Sequence, residues 1–277
     1  MAALADVKWL HGADCGKEPD PPLLQVHRFD ADTFVMRENK CYSAEGNFMY
    51  LLLGTRRAIL FDTGAAQDNE LLPPAQLPIA RKVRDILAER QQALDLVVAH
   101  THSHGDHRAW DRQFPPEIVV KSKRKSIMEK FGLPDWPDSR AVFDLGERQL
   151  DVFPIPGHEK DHIAVYDRNT RILLTGDTLY PGVLTVEDWN EYRASADRLD
   201  RFVRENPVSL VLGAHIEMKN TPRKFYRPRT RFQPDEHALP LGVEHVRELK
   251  EACDRLGNEP RADIRADFVL DPNGEFL

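Results

Sequence analysis

The eight residues from His100 to His107, in the order His-Thr-His-Ser-His-Gly-Asp-His, contain four of the eleven histidines of the chain. In an extended or tightly turned loop, His102 and His104 point to the same side, and Asp106 and His107 follow from the next turn, so four ligand atoms can converge. Imidazole and carboxylate ligands together suit zinc, and also iron or manganese, better than calcium or thiolate-preferring metals. We therefore predict a metal site with room for two ions, rather than a solvated polar loop.

Three further segments follow predicted strands, and in each a small residue precedes a histidine or aspartate that could bind a metal. They are Pro156-Gly157-His158, Thr175-Gly176-Asp177-Thr178 and Gly213-Ala214-His215. A small residue lets the backbone turn sharply beside a site. One such segment alone would be weak support, but the three together predict further ligands for the same site.

These motifs, in this order, resemble the metallo-β-lactamase superfamily from about Asn47 to His215, and the early Asp62-Thr63-Gly64 resembles the structural aspartate of that superfamily. The resemblance implies an α/β fold, a four-layer αββα sandwich with a two-metal site along one edge. It also implies a role for each candidate ligand: His102, His104 and His158 match the positions that hold the first metal, Asp106, His107 and His215 match those that hold the second, and Asp177 matches the bridging carboxylate.

Hydrolysis is the reaction that such ligands predict. Two dications a few ångströms apart lower the pKa of a shared water, and the hydroxide can attack a carbonyl carbon while the metals stabilise the oxyanion. Asp106 is expected to bind the second metal and to accept a hydrogen bond from the nucleophile, and Asp62 to orient a ligand histidine. Tyr180 could donate to a substrate oxygen or to a leaving group, or could simply line an apolar wall. We expect His100 to be structural, and His162 to support the ligands or to be a polar turn residue.

The aspartate at position 177 narrows the substrate class. The β-lactam-hydrolysing branches typically carry Cys or Ser at the matching position, whereas thioesterases of the hydroxyacylglutathione hydrolase type, acyl-homoserine lactonases and several phosphodiesterases resemble this chain. We therefore expect a dinuclear hydrolase of a carboxylic ester, thioester or lactone. An iron-dependent persulfide dioxygenase, a phosphodiesterase and a β-lactamase stay as alternatives. A non-enzymatic binding protein on this fold should have lost ligands, and none is missing here.

Alternating strands and helices are predicted to position these motifs. Apolar runs predict strands, for example at Phe48–Leu53 and Leu94–Ala99, and helical spacing of apolar residues predicts a helix over 79–89. No composition shift divides the chain, so we predict a single domain over 1–277 with a C-terminal extension from about 218–277. The segment 219–231 is basic, with no acidic residue, and contains Lys219, Arg223, Lys224, Arg227, Arg229 and Arg231. It is either a solvated loop or a cover over the cleft that attracts an anionic substrate.

Composition limits the function classes and the cellular setting. The 277 residues include 38 Lys and Arg against 45 Asp and Glu, a net charge of −7 that disfavours a non-specific nucleic-acid binder. The longest apolar run, Phe48–Leu53, is far shorter than the ~20 residues of a membrane span. The start of the chain shows no basic leader, and three widely separated cysteines argue against a disulfide framework. We expect a cytoplasmic enzyme that acts on a small molecule, with no nucleic-acid or membrane partner.

Overall fold

The structure, a computed structural model, describes residues 3–12, 15, 22–70 and 74–276. Its helices are α1 (Ile79–Ala88), α2 (Arg124–Phe131), α3 (Trp189–Glu205) and α4 (Val243–Leu256). Its strands, numbered in chain order, are β1 (Leu24–Arg28), β2 (Thr33–Glu38), β3 (Phe48–Leu53), β4 (Arg57–Phe61), β5 (Asp95–Ala99), β6 (Ala141–Asp144), β7 (Gln149–Pro154), β8 (Ile163–Asp167), β9 (Ile172–Gly176), β10 (Val183–Thr185), β11 (Leu210–Gly213), β12 (Asp263–Ile264) and β13 (Val269–Asp271).

Two five-stranded sheets form the centre of the molecule. The first has the order β1-β2-β3-β4-β5, and the second has the order β11-β9-β8-β7-β6. Neighbours are antiparallel except at one edge of each sheet, where β5 runs parallel to β4 and β11 runs parallel to β9. A small third sheet joins β10 to β13 and β12, so the C-terminal part of the chain pairs with a strand from the middle of the chain.

The alternation of side chains along the strands produces four layers. In β3, Phe48, Tyr50 and Leu52 face a core between the two sheets, and the intervening residues face a second core under α1. This follows from the two-residue period of a strand, because both faces of the sheet are apolar. The outer face of the second sheet packs against α3 and α4, for example at Phe202 and Leu249. The predicted αββα sandwich is therefore confirmed.

Some elements were not predicted from the sequence. Strand β2 is buried along its whole length although it ends in Arg37 and Glu38. The Arg37 guanidinium donates to both carboxylate oxygens of Glu236, at 2.6 and 2.9 Å, and the Glu38 carboxylate accepts from the backbone N–H groups of Asn47 and Ala65. Partners distant in sequence thus allow two ionisable residues to lie inside a strand, where an apolar pattern cannot predict them.

The expectation of no disulfide was wrong. Cys15 and Cys41 form a disulfide, with their Cα atoms 5.4 Å apart. The odd cysteine count was misleading because the remaining residue, Cys253, is buried in α4 as an apolar core side chain. Among the described residues, no helix has the length and apolar character needed to span a bilayer.

Candidate metal centre

The candidate ligands follow the C-terminal ends of four strands. The loop with His102 to His107 follows β5, His158 follows β7, Asp177 follows β9 and His215 follows β11. The backbone N–H of Phe48 donates to the carbonyl of Ala214 at 2.8 Å, which ties the start of β3 in the first sheet to the His215 loop after the second. All seven predicted ligands meet at this edge of the sandwich.

The first cluster combines His102, His104, His158 and Asp177. The Nδ1 atom of His104 lies 3.0 Å from Nε2 of His102 and 3.2 Å from Nε2 of His158. The Oδ2 atom of Asp177 lies 3.5 Å from Nε2 of His158 and 3.7 Å from Nε2 of His102. One atom from each residue therefore faces a common centre.

The second cluster combines Asp106, His107, His215 and again Asp177. The Nε2 atom of His107 lies 3.2 Å from Oδ2 of Asp106 and 3.3 Å from Oδ2 of Asp177. The corresponding distances from Nε2 of His215 are 3.5 and 3.3 Å. The same oxygen of Asp177 thus belongs to both clusters.

These distances fit metal coordination. Tetrahedral bonds of ~2.0–2.1 Å place ligand atoms about 3.4 Å apart, which is close to the separations in both clusters. The Oδ1 atom of Asp177 is buried and has no hydrogen-bond partner among the described residues. A buried carboxylate oxygen without a donor is costly unless a cation neutralises it. The residues present therefore fit two cations that share Asp177.

Hydrogen bonds orient the candidate ligand imidazoles through the ring nitrogen that faces away from the clusters. The carboxylate of Asp62 accepts from the backbone and the hydroxyl of Thr101, at 2.8 and 2.9 Å, and lies 3.0 Å from Nδ1 of His107. The other ring nitrogens also have partners: His158 Nδ1 lies 2.9 Å from the Thr185 carbonyl, His215 Nδ1 lies 3.1 Å from the Glu45 carbonyl, and His104 Nε2 lies 3.2 Å from the Glu187 carboxylate. Such contacts fix the tautomer and the direction of a ligand imidazole.

The electrostatics of the clusters also suit cations. Burial alone would raise the pKa of Asp177, but the positively charged rings of His215 and His107 outweigh it and hold that pKa well below its usual value. Burial and the neighbouring His107 lower the pKa of His102 well below its usual range, which keeps this imidazole neutral. Ionised carboxylates and a neutral imidazole are the forms that bind metals. At the second cluster the neighbouring carboxylates outweigh burial and raise the pKa of His107 and His215, so a cation there would displace the protons of these two rings.

Glycines make the close approach of these loops feasible. Gly157 has a φ of +131°, and a Cβ there would lie 2.3 Å from the backbone of Tyr192. Gly176 has a φ of +48°, and a Cβ there would lie 2.8 Å from both His162 and Thr101. The small residues predicted to allow sharp turns before His158 and Asp177 therefore have a steric reason.

The structure does not support Tyr180 as a proton donor to substrate. Its hydroxyl donates to the carbonyl of Val183 at 2.6 Å, and its ring packs beside His215 with centroids 5.5 Å apart. Burial raises the pKa of this phenol well above its usual value, with Glu217 and Asp177 contributing. The hydroxyl proton already takes part in the hydrogen bond to Val183, so the better interpretation of Tyr180 is that it lines an apolar wall.

The two neighbouring histidines have structural contacts. His100 lies between the hydroxyl of Ser122, 2.9 Å from its Nδ1, and the carboxylate of Asp111, 2.8 Å from its Nε2, as expected for a structural residue. The Nε2 atom of His162 accepts from the backbone N–H of Asp177 at 3.2 Å, and its ring stacks on His102. His162 therefore contacts two candidate ligands, Asp177 and His102, without belonging to either cluster.

Sequence reasoning missed Asn47 as a site residue. Its Nδ2 atom donates to Oδ2 of Asp106 at 3.1 Å and lies 3.5 Å from Nε2 of His107. The one feature of the sequence that could have indicated Asn47 is its position directly before β3. Nothing in the sequence, however, indicates that β3 starts beside the histidine loop.

The basic segment 219–231 is partly neutralised. Arg229 pairs with Glu45 at 3.4 Å and with Asp68 at 3.1 Å, and Arg231 donates to Asp68 at 2.8 Å. Since the Glu45 carbonyl contacts His215, these ion pairs hold the segment against the loop beside the second cluster. Arg223, Lys224 and Arg227 are exposed.

Comparisons with known proteins show the family and the fold of the chain. A sequence model of the metallo-β-lactamase superfamily matches residues 43–215. The acyl-coenzyme A thioesterase MBLAC2 of Homo sapiens is 26% identical over 216 residues, which cover 64% of this chain and 75% of that protein. A hydroxyacylglutathione hydrolase of Psychromonas ingrahamii is 34% identical over 107 residues, 37% of this chain and 40% of that protein. The crystal structure of the DIM-1 metallo-β-lactamase matches 85% of this chain and 99% of its own, with a TM-score of 0.52 at 14% identity, which shows a shared fold alone.

Proposed function

Since the chain belongs to the metallo-β-lactamase superfamily, we propose that it is a metal-dependent hydrolase that cleaves thioesters and related carboxylic esters. The observation that carries this proposal is the pair of complete ligand clusters that share Asp177. The similarity to proteins named as an acyl-coenzyme A thioesterase and as hydroxyacylglutathione hydrolases supports the thioester class.

His102, His104 and His158 would hold one cation, Asp106, His107 and His215 would hold the other, and Asp177 would bridge them. Zinc suits this nitrogen and oxygen donor set, and iron or manganese are alternatives. When bound, two such cations would acidify a shared water and stabilise negative charge on the substrate carbonyl oxygen.

The residues around the clusters would position the reactants. Asp106 is partly exposed, and the amide of Asn47 fixes its carboxylate, so Asp106 can accept a hydrogen bond from an attacking water. The side chain of His104 is 37% exposed, whereas those of His102 and His107 are fully buried. Substrate would therefore approach from the side of His104.

The hydrogen bond made by the Tyr180 hydroxyl also favours substrates with a good leaving group. An amine leaving group must be protonated as it departs, and the Tyr180 hydroxyl is committed to Val183. A thiolate, whose conjugate acid has a pKa of about 8.5, can leave without a proton donor. Thioesters and activated esters therefore fit the site better than amides do.

Elemental analysis and a substrate panel test the proposal. We expect close to two metal ions per chain, and turnover of thioesters in a panel that also contains lactones, aryl esters, phosphodiesters and a chromogenic β-lactam. One iron per chain, with oxygen uptake on a persulfide, would overturn the hydrolase in favour of the dioxygenase.

A small-molecule substrate and a cytoplasmic location complete the proposal. The location stays a prediction. Cysteine usage no longer supports it, because the Cys15–Cys41 pair is of a kind that reducing compartments disfavour.

A further inference from the structure

A groove of about 660 Å³ adjoins the candidate metal centre. Ser103 and Arg108 on its wall belong to the histidine loop after β5, and Lys160 and Asp161 belong to the turn that follows His158. The remaining wall is the segment from Val119 to Lys125, which leads into α2. The groove therefore lies between the two loops that carry His102, His104 and His158.

The groove is strongly cationic although the chain carries a net charge of −7. Six cationic side chains line it: Arg108, Lys121, Lys123, Arg124, Lys125 and Lys160. Its two carboxylates are already engaged, since Asp111 lies 2.8 Å from Nε2 of His100 and Asp161 accepts from Nε of Arg124 at 3.2 Å. Arg124 is thereby paired, and Nζ of Lys125 lies 3.8 Å from the carboxylate of Glu129, so Arg108, Lys121, Lys123 and Lys160 are the lining cations without a carboxylate partner among the described residues.

Three lysines are free to bind a ligand. Lys121, Lys123 and Lys160 are exposed, and within the described ranges none of their ammonium groups has a carboxylate within 4.0 Å. In the basic segment 219–231, Arg229 and Arg231 pair with acidic residues, whereas Arg223, Lys224 and Arg227 are exposed.

We propose that this groove binds the phosphate groups of a coenzyme A thioester while the thioester itself reaches the metal centre. The inference rests on the proposed function and names the substrate class for the same site. Coenzyme A carries a diphosphate and a 3′-phosphate, and phosphate oxygens form charge-assisted hydrogen bonds with Lys and Arg. A glutathione thioester has no phosphate and would leave most of these cations without a partner.

Kinetics on two matched substrates test the groove. The triple variant Lys121→Gln, Lys123→Gln, Lys160→Gln is compared with the unmodified enzyme on an acyl-coenzyme A and on the same acyl group attached to N-acetylcysteamine, which lacks phosphates. We expect the KM for acyl-coenzyme A to rise about tenfold or more, with kcat unchanged, because the phosphates are held away from the reacting bond. Kinetics on the N-acetylcysteamine thioester should not change.

A matched control removes the same charge elsewhere. The variant Arg81→Gln, Lys82→Gln, Arg84→Gln loses three exposed cations of α1 and should keep the KM of the unmodified enzyme. If this control raises the KM for acyl-coenzyme A as much as the groove variant does, the effect is a general loss of attraction for anions, and the groove proposal is wrong.

Calorimetry separates the groove from the hydrolase activity. Adenosine 3′,5′-bisphosphate, which has no thiol to bind a metal, is titrated into the metal-loaded protein and into the groove variant. We expect binding that the variant weakens about tenfold or more and that inorganic phosphate does not match. Equal binding by the two proteins, or inorganic phosphate binding as tightly, would overturn the proposal. If the nucleotide binds as expected but no thioester is hydrolysed, the proposed function is wrong and the groove proposal stands. If thioesters are hydrolysed but the groove variant behaves like the unmodified enzyme, the groove proposal is wrong and the proposed function stands.

Discussion

The Nδ1 atom of His107 lies 3.0 Å from Oδ2 of Asp62, and both side chains are fully buried. The other oxygen of Asp62 accepts from the backbone N–H of Thr101 at 2.8 Å. A carboxylate at Nδ1 favours the tautomer with the proton on that nitrogen, which leaves the Nε2 lone pair free to face the second cluster. Asp62 therefore orients a candidate ligand without belonging to either cluster.

Replacement of this carboxylate should reduce metal binding at the second cluster. In Asp62→Asn the side-chain oxygen can keep the Thr101 contact, and the amide then faces Nδ1 of His107 and favours a proton on Nε2, the atom needed for a cation. We expect a loss of about 10–100-fold in activity or metal affinity, measured as kcat/KM and as metal content after dialysis. Asp138→Asn, which changes a carboxylate that is 81% exposed, is the control. Full activity and two tightly held metals in Asp62→Asn would contradict this role.

Asp177→Ala should lower kcat by orders of magnitude and leave the fold intact. Oδ2 of Asp177 belongs to both clusters, so its loss changes the distance between two cations and the acidity of a shared water. Circular dichroism and metal content are measured beside turnover. Near-normal turnover with two metals bound would mean that Asp177 is not the bridge.

Tyr180→Phe should affect stability more than catalysis. The change leaves the buried carbonyl of Val183 without its donor, so we expect about 1 kcal/mol of lost stability, measured by urea unfolding. In the same variant, kcat should stay within about threefold of the original value, because no proton transfer depends on the phenol. A large loss of kcat with unchanged stability would restore the role of proton donor.

The pH dependence of the free energy of unfolding should reveal the raised pKa of Glu38. Burial raises the pKa of Glu38 to about 7, against the opposing backbone hydrogen bonds from Asn47 and Ala65. The folded protein therefore binds a proton more tightly than the unfolded chain, and the stabilisation is complete below pH 4.5 and is lost as the pH rises through 7.

Relative to Glu38→Gln, the free energy of unfolding of the unmodified protein should fall by roughly 3 kcal/mol between pH 4.5 and 8. Both proteins are measured without metal, because metal binding releases protons of its own. A difference between the two proteins that does not change with pH would show that Glu38 has an ordinary pKa.

The ligand types and their order were readable from the sequence. Each ligand segment is local, with a buried strand, a small residue or tight turn, and an imidazole or carboxylate within a few positions, as in Gly157-His158. The strand at Phe48–Leu53 and the helix over 79–89 were predicted from local apolar patterns, which depend on neighbouring residues alone, whereas the four layers were predicted only from the resemblance to the superfamily. The single-domain organisation stays a prediction.

Only the tertiary structure decided which distant residues surround the ligands. Glu236 lies 199 positions from Arg37, and 170 positions separate the Glu45 carbonyl from His215. The groove beside the centre combines charges from separate loops, and none of those loops looks exceptional alone. Such contacts arise from the packing of whole sheets and the burial of polar groups beside partners, so no local period or motif carries their signal.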